Sequence, residues 1–337
     1  MRRFLILGFS IIASMYLSPD TALAWGKFGH LTVCELAYRK LTDPAKAELN
    51  RLFRKGKGGI VVEGRNTLPD RTYTSFNRGC LEEDELPRKN DIDHYVNVDR
   101  KTKTIDANTC PLADTCVFAA ITRDFDNLRN RSLPDSDRVF ALMALGHWIG
   151  DIHQPLHVSF ADDRGGGWIK IDLEGKCGTS RESKPDNLHA VWDKCLLDAG
   201  MFERVRKRDD FKKTWSRFTI TYRAADTLLW NTSWAEEKTL VGQDYAKWAQ
   251  ESYVYTIHPD TLYCTMIGDA CAYSTTTLTL PKKDQARTQA ISQQYLADHE
   301  AIAQERVRKA GLRLAHLMNL ALDPDYTTPI KSEVQKP

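Results

Sequence analysis

Two short stretches restrict the fold of this chain more than anything else in it. Residues 146–157 read GHWIGDIHQPLH, and residues 187–193 read NLHAVWD. In each, a histidine stands four residues before an aspartate: His147 before Asp151, and His189 before Asp193. Four residues turn a helix by about 400°, so both side chains leave one face about 40° apart. The neighbours Trp148, Ile149, Ile152, Val191 and Trp192 are apolar, so the pairs are expected to be at least partly buried. A buried carboxylate needs a partner. One isolated pair reads as a hydrogen bond on a helix surface. Two in one chain, with His157 six residues beyond Asp151, point to imidazoles and carboxylates gripping a cation.

The rest of the chain agrees with a helical frame. Apolar residues recur at helical spacing around Leu31, Cys34, Leu36 and Ala37, along Val117, Ala120, Ile121 and Phe125 toward Leu128, and along Phe140, Met143, Ala144 and Ile149. Residues 211–230 read as a long amphipathic helix, and Ile291, Tyr295, Ile302 and Leu314 mark another. Strand signals are few: residues 169–173, and a weaker one at 275–280. No linker divides the sequence, so a single mainly α domain with minor β-hairpin content is expected, followed by a polar tail over 323–337. With 47 Lys and Arg against 45 Asp and Glu, there is no global basic field, so any phosphate recognition must be local.

The first 24 residues read as a secretory signal peptide. Arg2 and Arg3 precede an apolar run, and Ala22-Leu23-Ala24 is a small-x-small cleavage site. Cleavage would leave Trp25 with a free α-amino group and His30 five residues on. The mature protein is then secreted or periplasmic, where its eight cysteines are expected to pair. Proximity suggests Cys110 with Cys116 and Cys264 with Cys271. Cys34, Cys80, Cys177 and Cys195 allow three connectivities.

WGKFGH at a cleaved N-terminus, GDIHQPLH, NLHAVWD, WAQES (248–252) and VRKAGLRLAHLMN (307–319) together resemble the zinc-dependent single-strand-specific nucleases, the fungal S-one/P-one and plant bifunctional endonuclease type. That family shares its helical fold with zinc-dependent phospholipase C. The resemblance implies three zinc ions. The first would take Asp70, His94, His147 and Asp151. The second would take the Trp25 amine and carbonyl, His30 and the other oxygen of Asp151. The third would take His157, His189 and Asp193. Asp70 and His94 enter through LPDRTY and DIDHYVNV. Asp151, shared by two metals, and Asp70, orienting the nucleophile, are the implied catalytic residues.

The implied activity is hydrolysis of single-stranded DNA and RNA to 5′-phosphate products, with 3′-nucleotides as further substrates. A monomer without stable membrane association is expected. Tyr95 matches the family's base-stacking aromatic, and Asn187 is a candidate either for substrate contact or for capping a helix. Tyr73 stands where the family carries an arginine aimed at phosphate, which exchanges a charged fork for one neutral donor. His153 is expected to hydrogen-bond behind the ligands. His258, His299 and His316 lie outside every motif. Two other functions keep part of this reading: a zinc-dependent phospholipase C, and a zinc-binding protein without catalysis.

Overall fold

The computed structural model describes residues 25–53, 59–62, 69–85, 88, 90–110, 116–177, 185–230 and 232–328. The expected signal segment and the end of the tail lie outside them. The helices in chain order are α1 (Lys27–Arg39), α2 (Asp43–Phe53), α3 (Phe76–Gly79), α4 (Val117–Arg129), α5 (Asp135–Asp151), α6 (Leu188–Ala190), α7 (Glu203–Arg206), α8 (Arg217–Trp230), α9 (Trp234–Thr239), α10 (Tyr245–Thr256) and α11 (Gln293–Leu322). The mainly helical expectation holds.

Helix α11 is the spine of the molecule. It runs against α1, α2, α4 and α5, and Ala303, Val307, Ala310, Leu314 and Leu317 are buried along it. Ser292 caps its start by accepting from the Tyr295 amide. Helix α5 is buried from Arg138 to its end at Asp151, apart from Phe140, which points outward. The motif glycines of α5 explain how another helix can come so close. A Cβ on Gly150 would lie 2.7 Å from Nδ1 of His30 on α1, and one on Gly146 would lie 2.5 Å from Cys80 Sγ.

Among the described residues, four two-stranded ladders decorate this frame. Strand β1 (Ile60–Val62) pairs antiparallel with β2 (Arg71–Tyr73), and β3 (Val96–Val98) pairs parallel with β4 (Val158–Phe160). Strand β5 (Lys170–Leu173) runs parallel to β8 (Thr288–Ile291), while β6 (Thr265–Ile267) and β7 (Ala270–Ala272) form a hairpin. The β3–β4 ladder matters most for the site. Its register sets Val96 opposite Val158, which brings His94 and His157, just upstream on each chain segment, side by side.

Several local expectations are corrected. Helix α8 begins at Arg217, six residues later than the periodicity suggests, because residues 211–216 form turns. Residues 275–280 form bends, and the strands of that region are β6 and β7. Asp323 and Tyr326, at the start of the expected tail, are held in place: Thr42 Oγ1 donates to Asp323, and Tyr326 meets His316. Disulfides join Cys110 to Cys116 and Cys264 to Cys271, as proximity suggests. The open connectivities resolve to Cys34–Cys80 and Cys177–Cys195.

Candidate metal centre

Three groups of side chains converge where α1, α5 and α6 meet the β3–β4 ladder. They are His30, His147 and Asp151; Asp84, His94 and His147; and His157, His189 and Asp193, with the ligand-type atoms of each group lying within 4.8 Å of one another. Every member is buried except Asp84, which is partly exposed. Helix α5 supplies both His147 and Asp151, as the four-residue spacing requires. His189 leaves α6, and Asp193 leaves the π-helical turn Val191–Cys195 that continues it. The wider turn still keeps the two on one side, with His189 Nε2 3.4 Å from Asp193 Oδ2.

The outer nitrogens of the histidines are tied to backbone carbonyls. Nδ1 of His147 meets Cys80 O at 2.8 Å, Nδ1 of His157 meets His94 O at 2.7 Å, and Nδ1 of His189 meets Gly165 O at 2.8 Å. A carbonyl only accepts, so each Nδ1 carries the proton and each Nε2 presents a lone pair. The Nε2 atoms of His157 and His189 then face each other at 3.1 Å. Two lone pairs at that distance repel unless a cation lies between them. His147 Nε2 lies 3.2 Å from His94 Nδ1, which also meets Asp151 Oδ2 at 3.0 Å.

The first two groups share His147, and Asp151 reaches histidines of both. Its Oδ1 lies 3.3 Å from His30 Nε2, and its Oδ2 lies 3.0 Å from His94 Nδ1 and 3.4 Å from His147 Nε2. His30 stacks on His147 at 3.9 Å. Both ring nitrogens of His30, Nε2 of His94 and Oδ1 of Asp151 are buried without a hydrogen-bond partner. Unsatisfied polar atoms concentrated in one place call for a ligand. Burial holds the imidazoles of His30, His94 and His157 well below their ordinary range and pushes the carboxyls of Asp151 and Asp193 well above theirs. Neutral imidazoles cannot compensate two buried carboxylates, whereas a divalent cation can. The donor set, nitrogen and carboxylate oxygen in open groups of three, suits zinc.

The structure brings together most residues named from the sequence. Two are corrected. Asp70 is exposed at the entry to β2 and belongs to none of the three groups. Asp84 stands in its place, with Oδ1 3.7 Å from His147 Nε2 and Oδ2 3.9 Å from His30 Nε2. Sequence reading passes it over because Glu82-Glu83-Asp84-Glu85 looks like a solvated acidic run. The available signal was Cys80: its bridge to Cys34 on α1 pulls the following residues onto α5. Tyr73 is the second correction. It is buried, and its hydroxyl is spent on Glu82, so it cannot reach a substrate phosphate.

An arginine at the site that sequence reading also missed is Arg88. It donates to Asp84 Oδ1 at 2.5 Å. With Tyr95, His157 and His189 it lines a cavity of about 240 Å³ over the third group. Asn187 caps α6, accepting from the Ala190 amide at 2.9 Å. His153 is buried behind the site against Arg313, at 2.8 Å. Gln154 donates to Asp193 Oδ1 at 2.6 Å and so sets that carboxylate. Trp25 is fully buried at the start of α1, and the adjacent Gly26 amide donates to Asp193 O at 2.7 Å.

Fold and site thus define a mainly helical, disulfide-linked protein with three buried His/Asp groups able to hold metal. Comparison with known proteins makes the class specific. The family model described as S1/P1 Nuclease matches residues 25–323. The chain is 26% identical to Endonuclease 1 of Arabidopsis thaliana over 96% of this chain and 94% of that protein. It is 26% identical to Endonuclease 4 of the same plant over 88% and 89% of the two chains, and 27% identical to Nuclease S1 of Aspergillus oryzae over 88% and 91%. This chain belongs to the S1/P1 nuclease family, whose members act as hydrolases of phosphodiester bonds.

Proposed function

We propose that the protein is an exported, zinc-dependent endonuclease that cleaves single-stranded DNA and RNA to 5′-phosphate products and also removes 3′-phosphates from nucleotides. The observation that carries the metal requirement is the 3.1 Å approach of two Nε2 lone pairs, each fixed by its Nδ1 bond to a carbonyl. The residues that would hold zinc are His30, Asp84, His94, His147, Asp151, His157, His189 and Asp193. The free α-amine and carbonyl of Trp25 would join them after processing at Ala24. Bound zinc supplies Lewis acidity toward a phosphoryl oxygen and acidifies water.

The chain's own residues do the rest. Asp151 presents its two oxygens to different histidines and so fixes the spacing of two groups. Arg88, held by Asp84, offers its guanidinium to phosphate. Tyr95 lines the cavity and offers a ring on which an unpaired base stacks, an interaction worth about 1–3 kcal/mol and tolerant of sequence. Bases inside a duplex are not available to it, which favours single strands. Four disulfides fit an oxidising, extracellular destination. Among the described residues no helix is long and apolar enough to cross a membrane.

The test is hydrolysis by metal-loaded protein beginning at Trp25, assayed on single-stranded DNA, RNA, adenosine 3′-phosphate and phosphatidylcholine. Cleavage of the first three alone is expected. Phosphatidylcholine as the sole substrate would sink the nuclease reading. A companion chain retaining Ala24 should hold less zinc, because an amide nitrogen has its lone pair delocalised into the peptide bond.

A further inference from the structure

The turn between β4 and β5 carries a residue whose backbone and side chain make opposite demands. Arg164 has φ of 55°, a left-handed conformation that glycine adopts freely and arginine does not. Three glycines follow it directly, so a glycine at 164 would have been an easy sequence solution. The surrounding turn holds the backbone there. Arg164 N donates to Ala161 O, Gly165 N to Phe160 O, Gly167 N to Arg164 O and Trp168 N to Asp163 O. Asp163 is buried on Arg100 at 2.6 Å and takes the Gly166 amide at 3.0 Å. Gly165, the next residue, gives its carbonyl to His189 Nδ1. The arginine is therefore fixed relative to the third histidine group.

Its guanidinium is exposed, and among the described residues it makes no hydrogen bond or ion pair. It lies over the Trp168 ring at 5.1 Å, and Lys283 Nζ approaches the same ring at 5.9 Å. Arg164 lines the same cavity as Arg88. The two arginines differ in how far they are committed. Arg88 is bonded to Asp84 and lies 3.5 Å from Asp91, the exposed carboxylate at the cavity edge, while Arg164 has both charge and donors to spare.

We infer that Arg164 and Lys283, oriented by Trp168, form a phosphate subsite that holds the backbone of a strand extending beyond the nucleotide being cleaved. The inference rests on the single-strand reading above and adds a distinction to it. A mononucleotide has one phosphate, which the histidine groups and Arg88 take. A strand has more, and a positive groove beside aromatic rings is what tracks a backbone without reading its sequence. Arg164 thus separates polynucleotide from mononucleotide affinity.

The experiment compares wild type, Arg164→Gly and Arg164→Lys as purified, metal-bound proteins. Binding is measured for a hydrolysis-resistant phosphorothioate oligothymidylate and for thymidine 5′-phosphate, a product-type mononucleotide with no 3′-phosphate to remove, across a salt series. Arg164→Gly should bind the strand about five- to tenfold more weakly. Its salt slope should be shallower by about 0.7, the loss of one phosphate contact on a single strand. Mononucleotide affinity should fall far less than strand affinity, Arg164→Lys should restore most of the strand affinity, and the glycine variant should melt no lower than wild type because its backbone suits the turn. Unchanged strand affinity and slope in Arg164→Gly overturns the subsite, as does an equal loss for strand and mononucleotide, or a wild type that binds no strand. Split affinities in a protein that cleaves no strand would leave the subsite standing and remove the nuclease activity instead.

Discussion

At the scale of single residues, the exchange of Asp70 for Asp84 is the sharpest test of the site. Asp84→Asn keeps the shape of the side chain but removes its charge beside His30 and His147. It should lower metal content by about one ion per chain and cut hydrolysis by at least about 10–100-fold. Asp70→Asn, on an exposed side chain, should do neither; elemental analysis and a strand-cleavage assay on both variants decide between them. The buried histidines also predict a pH dependence for metal-free protein. Burial lowers His189 to about 4 and holds His30, His94, His147 and His157 below 6.5 in the folded chain. Below about pH 6.5 the unfolded chain binds more of these protons than the folded one, for His189 down to about pH 4, so these groups make stability rise with pH in that window. Asp151 and Asp193 act with the opposite sign, since their raised values stabilise the fold only while they stay protonated. Five imidazoles outnumber two carboxyls, and the melting temperature in chelator should climb from pH 4 to 6.5. A flat or falling profile there would contradict the burial argument.

At the scale of elements, the site depends on how closely α1 lies on α5. Gly146 and Gly150 are one turn apart on α5 and face the Cys34–Cys80 bridge and the His30 ring respectively. Gly150→Ala places a methyl 2.7 Å from His30 Nδ1, in a contact that must be relieved by moving the ring. Helix propensity favours alanine, yet overpacking at this crossing should cost about 1–3 kcal/mol and displace His30 from Asp151. Urea denaturation and zinc stoichiometry measure the two effects separately. An alanine variant as stable and as metal-rich as wild type would show that α1 can retreat without consequence. Behind α5 the buttress is α11. Arg306, fully buried, donates to His153 O, Trp248 O and Ser252 Oγ, which locks the turn between Asp151 and His157 to α10.

At the scale of the whole molecule, the Cys34–Cys80 disulfide ties segments far apart in sequence together beside the three His/Asp groups. Cys34–Cys80 closes a loop of 46 residues and joins α1 to the segment that delivers both the Cys80 carbonyl to His147 and Asp84 to the centre. Replacing both cysteines by serine should cost about 4 kcal/mol from unfolded-chain entropy. It should also lower zinc affinity, because two partners of His147 lose their anchor. Comparing thermal melts with and without added zinc distinguishes the effects. If excess zinc restored the wild-type melting temperature at ordinary affinity, the bridge would serve stability alone.

Much of the centre is legible in the sequence because the information is local. A histidine and an aspartate four apart on a helix must share a face, so the spacing alone pairs His147 with Asp151 and His189 with Asp193, and the apolar residues around them imply burial. His157 lies in the same motif as His147, His30 follows the expected mature N-terminus, and the motif resemblance adds His94; the fold gathers all three. Asp84, Arg88, the burial of Tyr73 and the left-handed Arg164 are not legible in the same way. Asp84 sits in an acidic run that looks solvated, and it faces the centre in a segment joined to α1 by the Cys34–Cys80 bridge and bonded to Arg88. Tyr73 is sequestered because Glu82 happens to lie beside it. Arg164 looks like any loop cation until the turn around Asp163 fixes its backbone. Helical periodicity is a property of neighbours along the chain and can be read there. Which charge faces a buried cluster depends on contacts between residues far apart in sequence, and those exist only once the chain has folded.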